Sequence, residues 1–520
     1  MSSRAGAAAP SPLLLAGVVV VAFALIPLGY VVVATATMGT EDLLALLWRT
    51  RVGELLGNTV ALLVGTVLLT TAIGLVGAVV VVRTDLGGRV WWHALLSAPL
   101  AVPAFVNSYG WVSLTTAVQS YAGAVLIVSL SYYPLVYLPV VGALAGLEAA
   151  PEEVARSLGR SRLGAFVGAA LPRLLPAVLG GALLVGLHVL AEFGALQLLA
   201  FPTFTTAIYG QYRSAFASDA GTVLAIVLVG LCVLLLLAEL LARGRRRLVR
   251  LGRGSARRPE PVPLGPWRPV VLLGLVGLVA LAIGVPVYSL VHWLLVGSST
   301  HLAAGSLTGA LLTTLGLAAA GSALATIAAM PLAWLVVRRR SPASTLLERA
   351  AYTANALPGI VVALALISVS IRLVPALYQT LPLLLLAYAI LFLPRALVSV
   401  RSSLEHAPPL LDEVSRSLGQ SGWATIRRVT LRLVAPGVGA GGALVFLAIS
   451  TELTATLLLS PIGTSTLATE FWSASSSVRY GAAAPYALLL VLAALPATVM
   501  LTFQTRPTAR RPLIVEEVLA

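Results

Sequence analysis

EVARSLGRS, from Glu153 to Ser161, is a polar stretch inside a very apolar chain, and it returns as EVSRSLGQS from Glu413 to Ser421. The two copies lie 260 residues apart in a chain of 520 residues, so each occupies the same place in its half. Self-similarity at a fixed spacing is the signature of a repeated structural unit. We therefore expect two equivalent halves in the same orientation, each carrying one copy of this charged loop.

The composition around the loops indicates a membrane protein. The chain is 59% hydrophobic and only 10% charged, with a mean hydropathy of +0.97. Uncharged runs such as 12–40 and 269–290 exceed the roughly 20 helical residues that cross a ~30 Å hydrocarbon core. Because lipid offers no partner to backbone N–H and C=O groups, these runs should be helical. We predict an all-α membrane protein with about twelve transmembrane helices, at 12–37, 59–83, 90–117, 121–148, 176–201, 220–243, 269–297, 308–337, 350–372, 381–400, 436–460 and 484–504.

The repeat also predicts the domain boundaries. Residues 1–243 form the first half and residues 269–505 the second, each with about six spans. Residues 244–268 are basic and then proline-rich, a composition that a bilayer would not accept and that is typical of a linker. Residues 506–520 form a short tail.

The arginines predict the orientation. All 34 basic residues are arginine, and with the N-terminus in the cytoplasm 29 of them fall inside and 5 outside. This bias follows the positive-inside rule and places both charged loops and both termini in the cytoplasm. It also explains the net charge of +15 without a nucleic-acid partner. Since a P-loop requires a lysine, the chain cannot itself be a P-loop ATPase, and its single cysteine, Cys232, excludes an internal disulfide.

The charged loops have a longer pattern, because a glycine follows the acidic residue at +6 and a leucine follows it at +18 in both copies. This resembles the EAA loop of ABC-importer permeases, E-A-A-x3-G-x9-I-x-L-P, which in that family forms a coupling helix docked in a groove of the ATPase subunit. We refer to residues 149–175 and 405–435 as the first and second EAA loops. The resemblance assigns ATPase coupling to Glu153, Arg156, Ser157, Gly159 and Leu171 and to Glu413, Arg416, Ser417, Gly419 and Leu431.

Both copies depart from the family pattern. The first has Val154 at the first alanine and Ala169 at the isoleucine. The second carries other residues at both alanines, at the isoleucine and at the proline, namely Val414, Ser415, Val429 and Arg432. The acidic and glycine positions remain in both.

Three longer stretches look like the ferric-iron permease family, namely 191–212, 377–397 and 451–477. The resemblance implies a fused permease of a type I ABC importer in a bacterial inner membrane. It implies two partner ATPases that bring ATP and Mg²⁺, an extracytoplasmic binding protein that delivers ferric iron, and neither enzymatic activity nor a cofactor in this chain. Relatives that handle thiamine, phosphonate or polyamines share the architecture and remain alternatives.

Two glutamates fall inside predicted spans at equivalent positions, Glu192 and Glu452. Ionisable groups at membrane depth are costly and commonly mark a translocation pathway. One hypothesis is a hard oxygen lining for a cation such as Fe³⁺, and the other is a structural, hydrogen-bonded carboxyl group. His188 lies one helical turn before Glu192, but Ala448 stands at its equivalent, which favours packing over a metal site.

Two other classes of protein compete with the importer. A secondary transporter also has twelve spans in two halves, and RTDLGGR at 83–89 echoes a loop motif of the major facilitator family. Such a carrier needs no pair of glycine-hinged acidic loops. A membrane-embedded enzyme would need a convergent set of reactive side chains at membrane depth, which the sequence does not offer.

Overall fold

A computed structural model describes residues 12–214, 218–243, 260–297, 304–339, 341–353 and 357–504, and these residues are almost entirely helical. The apolar runs form helices because a helix satisfies its own backbone hydrogen bonds in lipid. Within the described ranges the β-structure is limited to one isolated bridge, between Thr84 and Val262. The helices of the first half are α1 (Pro12–Ala36), α2 (Thr40–Leu47), α3 (Thr50–Arg83), α4 (Arg89–Ser97), α5 (Ala104–Val112), α6 (Tyr121–Tyr132), α7 (Pro134–Ala145), α8 (Ala150–Ser157), α9 (Arg162–Ala165), α10 (Leu171–Ala191), α11 (Gly194–Leu198), α12 (Phe204–Ser214) and α13 (Ser218–Arg243).

The described helices of the second half follow a similar but not identical order. Its helices are α14 (Arg268–Val279), α15 (Val285–Val296), α16 (Ala304–Arg338), α17 (Pro342–Thr353), α18 (Gly359–Leu373), α19 (Leu381–His406), α20 (Pro409–Ser417), α21 (Gly422–Thr425), α22 (Leu431–Ser450), α23 (Thr454–Leu459), α24 (Leu467–Ser476) and α25 (Tyr480–Gln504). A π-helical turn precedes α10 at Phe166–Ala170, joins α14 to α15 at Ala280–Gly284, and precedes α22 at Ile426–Thr430.

The all-α membrane class is confirmed. The described residues contain 9 helices that are long and apolar enough to cross a membrane, or 10 if α6 and α7, bent by 42°, form one broken span. Ten of the predicted spans have such a counterpart. The other two are the third spans of each half, at 90–117 and 350–372.

Proline explains why these third spans are broken. Pro103 precedes α5 and Pro358 precedes α18, and both have extended backbone, with ψ of 143° and 145°. A proline lacks the N–H of a helix interior and clashes with the preceding turn, but it is tolerated where a helix begins. Each third span is therefore divided at equivalent places, since the two prolines lie 255 residues apart. The fifth spans end earlier than predicted, at Ala191 and Ser450, and they also begin earlier, at Arg162 and Gly422.

The first span of each half packs against the other half. Helix α1 contacts α16, α17 and α18, and also α13 of its own half. In the equivalent way, α15 contacts α5 of the first half and α25 of its own. The hydroxyls of Ser113 and Ser289 lie 2.7 Å apart at the second of these contacts. The two halves are thus interlocked by exchanged helices, and one buried apolar cluster combines residues of both.

Parts of two predicted segments lie outside the described residues. The linker, predicted at 244–268, is described only from Glu260 onward. There the backbone N–H of Val262 donates to Arg83 O at 2.7 Å, and the N–H of Asp85 donates to Val262 O at 3.1 Å. The linker therefore ends against the loop that follows α3. The predicted tail at 506–520 lies wholly outside the described ranges.

Candidate coupling loops and central cavity

The first EAA loop is built around a left-handed glycine. Helix α8 is followed by Gly159 at φ +85°. The N–H of Gly159 donates to Arg156 O at 3.0 Å, and the N–H of Arg160 donates to Ala155 O at 3.1 Å. These two bonds form a Schellman motif, which closes a helix and favours glycine at the left-handed position. The glycine at +6 therefore stops the helix and turns the chain toward α9.

The second EAA loop has the same geometry. Gly419 has a φ of +80°, and its N–H donates to Arg416 O at 3.0 Å. The N–H of Gln420 donates to Ser415 O at 3.2 Å. In both loops a serine then caps the next helix: Ser161 Oγ accepts from Gly164 N at 3.1 Å and Ser421 Oγ from Ala424 N at 3.3 Å. Two separate stretches of sequence thus form one backbone shape.

The predicted loop residues are placed in three ways. Glu153, Arg156, Glu413 and Arg416 are exposed. The hydroxyls of Ser157 and Ser417 donate to carbonyls of their own helices, Val154 O and Val414 O, at 2.8 Å each. Leu171 and Leu431 begin α10 and α22, directly after the π-helical turns. The pattern from +0 to +18 therefore runs from the exposed helix to the start of a membrane span.

Both loops expose apolar side chains that the sequence analysis did not select. Leu158 and Leu418 are 79% and 75% exposed, immediately before the two glycines. Leu163 and Trp423, which are equivalent at an offset of 260, are 73% and 72% exposed. Exposed apolar side chains grouped on an otherwise polar loop are typical of a surface that a partner covers.

A buried ion pair fixes each loop helix to the end of a long span. Arg83, the last residue of α3, pairs with Glu152 of α8, and their side chains are 8% and 15% exposed. Arg338, the last residue of α16, lies 3.5 Å from the Asp412 carboxylate of α20. Asp412 Oδ1 also accepts from Thr430 Oγ1 at 2.7 Å. The same contact therefore exists in both halves.

Sequence reasoning missed these four residues. Arg83 enters the sequence argument only as the first residue of RTDLGGR. Its partner Glu152 lies 69 residues further along the chain. One available signal was the repeat itself, because Arg83 and Arg338 are 255 residues apart, and Glu152 and Asp412 are 260 apart. Opposite charges repeated at both offsets could have suggested a contact.

A cavity of about 540 Å³ lies between the halves, and Glu192 and Glu452 both line it. Glu192 follows α10, and Glu452 follows α22. The symmetric breaks at the ends of the fifth spans therefore place the two carboxylates at one inter-half cavity. A second cavity of about 370 Å³ shares several lining residues with the first, including Glu452.

Each glutamate carboxylate also caps the short helix that follows. Glu192 Oε1 accepts from Ala195 N at 2.9 Å, and the Tyr132 hydroxyl donates to Oε2. Glu452 Oε1 accepts from Ala455 N at 3.0 Å, and Oε2 accepts from Thr456 N at 3.1 Å. Negative groups are favoured at helix N-termini because the backbone N–H groups there are free. The hydrogen bonds support a structural role, and the cavity position supports a pathway role.

The ring of His188 contacts other groups of the protein through both nitrogens and by packing against another ring. Its Nδ1 lies 2.7 Å from Leu184 O, and its Nε2 lies 3.4 Å from Nη2 of Arg395, which belongs to the second half. The His188 ring packs 5.3 Å from the Tyr132 ring, centroid to centroid. Among the residues that the structure describes, no three His, Cys, Asp or Glu side chains form a metal site.

The change Glu192→Gln separates the two roles. A glutamine keeps an oxygen for Ala195 N, and its amide can donate to the Tyr132 hydroxyl, so the helix cap survives. We expect transport to fall by on the order of tenfold if the carboxylate charge serves the pathway. The measurement is substrate uptake in proteoliposomes.

The matched change Glu452→Gln places an amide NH₂ against a backbone donor and should also lower stability. Glu54→Gln, at an exposed position on α3, is the control. Unchanged uptake in Glu192→Gln would show that this carboxylate charge does not serve the pathway and that its role is to cap the helix.

Comparison with known proteins places this arrangement in a family. The family described as the binding-protein-dependent transport system inner membrane component matches residues 88–248 and 321–511. The Fe(3+)-transport system permease protein FbpB 2 of Haemophilus influenzae is 37% identical over 470 residues, which cover 90% of this chain and 93% of that protein.

Two shorter relatives match less of the chain. The molybdenum transport system permease protein ModB of Escherichia coli K12 is 30% identical over 165 residues, or 28% of this chain and 69% of that protein. The molybdate/tungstate transport system permease protein WtpB of Thermococcus kodakarensis is 25% identical over 218 residues, or 41% of this chain and 88% of that protein.

These matches decide among the three classes of protein. The matched segments lie in both halves and together include most of the chain. A secondary transporter and a membrane-embedded enzyme are thereby set aside. The chain is a multi-pass membrane permease, and it belongs to the inner membrane components of binding-protein-dependent transport systems.

Proposed function

We propose that this chain is the permease subunit of an ATP-driven importer of ferric iron, and that an extracytoplasmic binding protein delivers the iron. The observation that carries the proposal is the near full-length similarity to a ferric-iron permease, at 37% identity over 90% of the chain. Both halves of the permease lie in one chain, so the substrate path runs between halves that are already joined.

Two partner ATPases supply the energy, one docked on each EAA loop. The repeated Schellman turns and the exposed side chains of Leu158 and Leu418 support one docking surface in each half. ATP and Mg²⁺ bind in those partners, since this chain has no lysine for a P-loop.

The membrane is the bacterial inner membrane, with both termini and both EAA loops in the cytoplasm. The 29 to 5 distribution of arginines supports this orientation. When ATP closes the two ATPases, the loop helices move, and the buried ion pairs Arg83–Glu152 and Arg338–Asp412 carry that motion to α3 and α16. The halves then rock about the central cavity, which opens toward the binding protein.

A second candidate substrate is a free oxyanion. Relatives named for molybdenum and for molybdate and tungstate match part of the chain. The specific observation in its favour is the guanidinium of Arg395 at the central cavity, since arginine suits the binding of oxygen anions.

Uptake of ⁵⁵Fe tests the proposal. Proteoliposomes would hold the chain with its ATPase and its binding protein, and ATP would be trapped on the ATPase side. We expect iron entry that requires both ATP and the iron-loaded binding protein. Binding-protein-stimulated ATP hydrolysis without iron entry would keep the importer and remove iron as the substrate. Molybdate, sulfate, thiamine, phosphonate and polyamine would then be compared in the same vesicles.

A further inference from the structure

The central cavity contains a guanidinium, that of Arg395, which pairs with no carboxylate of the described residues. Arg395 of α19 lines both inter-half cavities, and its side chain is exposed to them. Its contacts are His188 Nε2 at 3.4 Å and the face of Phe392, whose ring centroid lies 5.5 Å from Cζ. Within the described parts of the chain, no ion pair joins Arg395 to an acidic side chain.

His188 satisfies one donor of Arg395 at most. Because Nδ1 of His188 faces the Leu184 carbonyl at 2.7 Å, the ring proton belongs on Nδ1 and Nε2 is left as a neutral acceptor. A guanidinium has five N–H donors in a fixed fork. Most of the donors of Arg395 therefore remain available to whatever enters the cavity. An unpaired charge at membrane depth is costly and is commonly kept for a ligand.

Unlike the Arg395 guanidinium, the two carboxylates at the same cavity already have hydrogen-bond partners. Glu192 accepts from Ala195 N and from Tyr132, and Glu452 accepts from Ala455 N and Thr456 N. A bare cation would have to compete with these donors for the carboxylate oxygens. An oxygen anion meets free donors on Arg395, and their fork matches carboxylate and phosphate geometry.

We propose that iron crosses the cavity as a ferric ion that keeps an oxygen-anion ligand, a phosphate or a carboxylate, and that Arg395 binds this ligand. The inference rests on the proposed iron function, because it specifies the form in which the iron passes. The anion stays on the iron during passage, so the permease does not have to replace that ligand. The glutamates then face the positive part of the complex without displacing its ligands.

The repeat supplies a matched control. Leu135 lies 260 residues before Arg395 and lines the same cavity from the first half. The double change Leu135→Arg with Arg395→Leu moves the guanidinium to the equivalent position of the other half. If Arg395 acts as a charge in the cavity, the moved charge should restore function lost in Arg395→Leu alone.

The experiment measures co-transport. The binding protein is loaded with ⁵⁵Fe together with [³²P]phosphate in one arm and [¹⁴C]citrate in the other. The complete transporter is assayed as the wild type, Arg395→Leu and the charge-moved double variant. We expect ⁵⁵Fe and one anion label to enter in a fixed ratio. Arg395→Leu should lower the entry of both by about tenfold or more, as expected for the loss of a hydrogen-bonded charge, and the double variant should recover part of it.

The outcomes separate this inference from the proposed function. Iron entry without either anion label would overturn the inference and keep the iron importer. Wild-type uptake in Arg395→Leu would also overturn it. Stimulated ATP hydrolysis without any iron entry would overturn the iron function itself. Stimulated ATP hydrolysis in Arg395→Leu shows that the variant is folded and docked, so a loss of uptake in that variant is a loss of substrate passage.

Discussion

Replacement of both left-handed glycines by valine, Gly159→Val with Gly419→Val, is expected to abolish ATP-driven uptake. Their φ angles of +85° and +80° are strongly disfavoured for a β-branched residue, and holding one there would cost about 1–3 kcal/mol of backbone strain at each position. A Cβ atom at either position would meet no heavy atom within 4 Å. The expected loss of uptake therefore comes from the backbone. It would abandon the Schellman conformation and change the direction of the exposed loop helix.

The matched control is asparagine at the same two positions. Asparagine adopts the left-handed region more readily than any β-branched residue does, so the asparagine variant should keep much of the uptake. The measurements are substrate uptake and co-purification of the ATPase subunits. Valine variants that transport like the wild type would show that the turn geometry is not needed for coupling.

Removal of one partner of the buried ion pair in the first half should be strongly destabilising. Arg83→Ala leaves Glu152 charged and mostly buried, and Glu152→Ala leaves Arg83 in the same condition. Breaking a buried pair in this way costs about 3–5 kcal/mol. Arg83 also lies 5.8 Å from the Phe166 ring centroid, so its loss removes packing against the π-helical turn.

A double-mutant cycle tests this claim. The double change Arg83→Ala with Glu152→Ala should be less harmful than the sum of the single changes, because no charge is left unpaired. The measurements are the thermal unfolding midpoint in detergent and uptake in vesicles. Glu54→Ala is the control, since the pair Arg51–Glu54 is 60% and 54% exposed and should contribute at most about 1 kcal/mol. Additive single effects at Arg83 and Glu152 would contradict a coupled pair.

The repeat made the EAA loops predictable from sequence. A glycine at the same place after an acidic helix in both halves predicted a turn there, and in both turns the glycine has positive φ. The apolar runs likewise predicted most spans, because lipid permits only helices there. Both depend on local chemistry, which a sequence displays directly.

The other features depend on contacts that are distant along the chain. The breaks in the third spans are a local exception, because Pro103 and Pro358 start new helices within stretches that hydropathy alone places in single spans. The pair Arg83–Glu152 and the contact between His188 and Arg395 join residues that are 69 and 207 positions apart. Hydropathy carries no information on which helix faces which, so these contacts needed the folded chain.

The exchanged first helix also has a consequence for biogenesis. The buried stripe of α1, which includes Gly17, Val21 and Ala24, faces helices that begin at Ala304. At ~5–20 residues per second, roughly 270 further residues take on the order of 15–50 s to synthesise. During that interval α1 gains α13 of its own half but lacks α16, α17 and α18, so lipid or an insertion factor must cover the part of the stripe that faces them. In two separate half-chains each first helix would have to find its partner helices on another molecule, whereas the fusion supplies both sets of helices together.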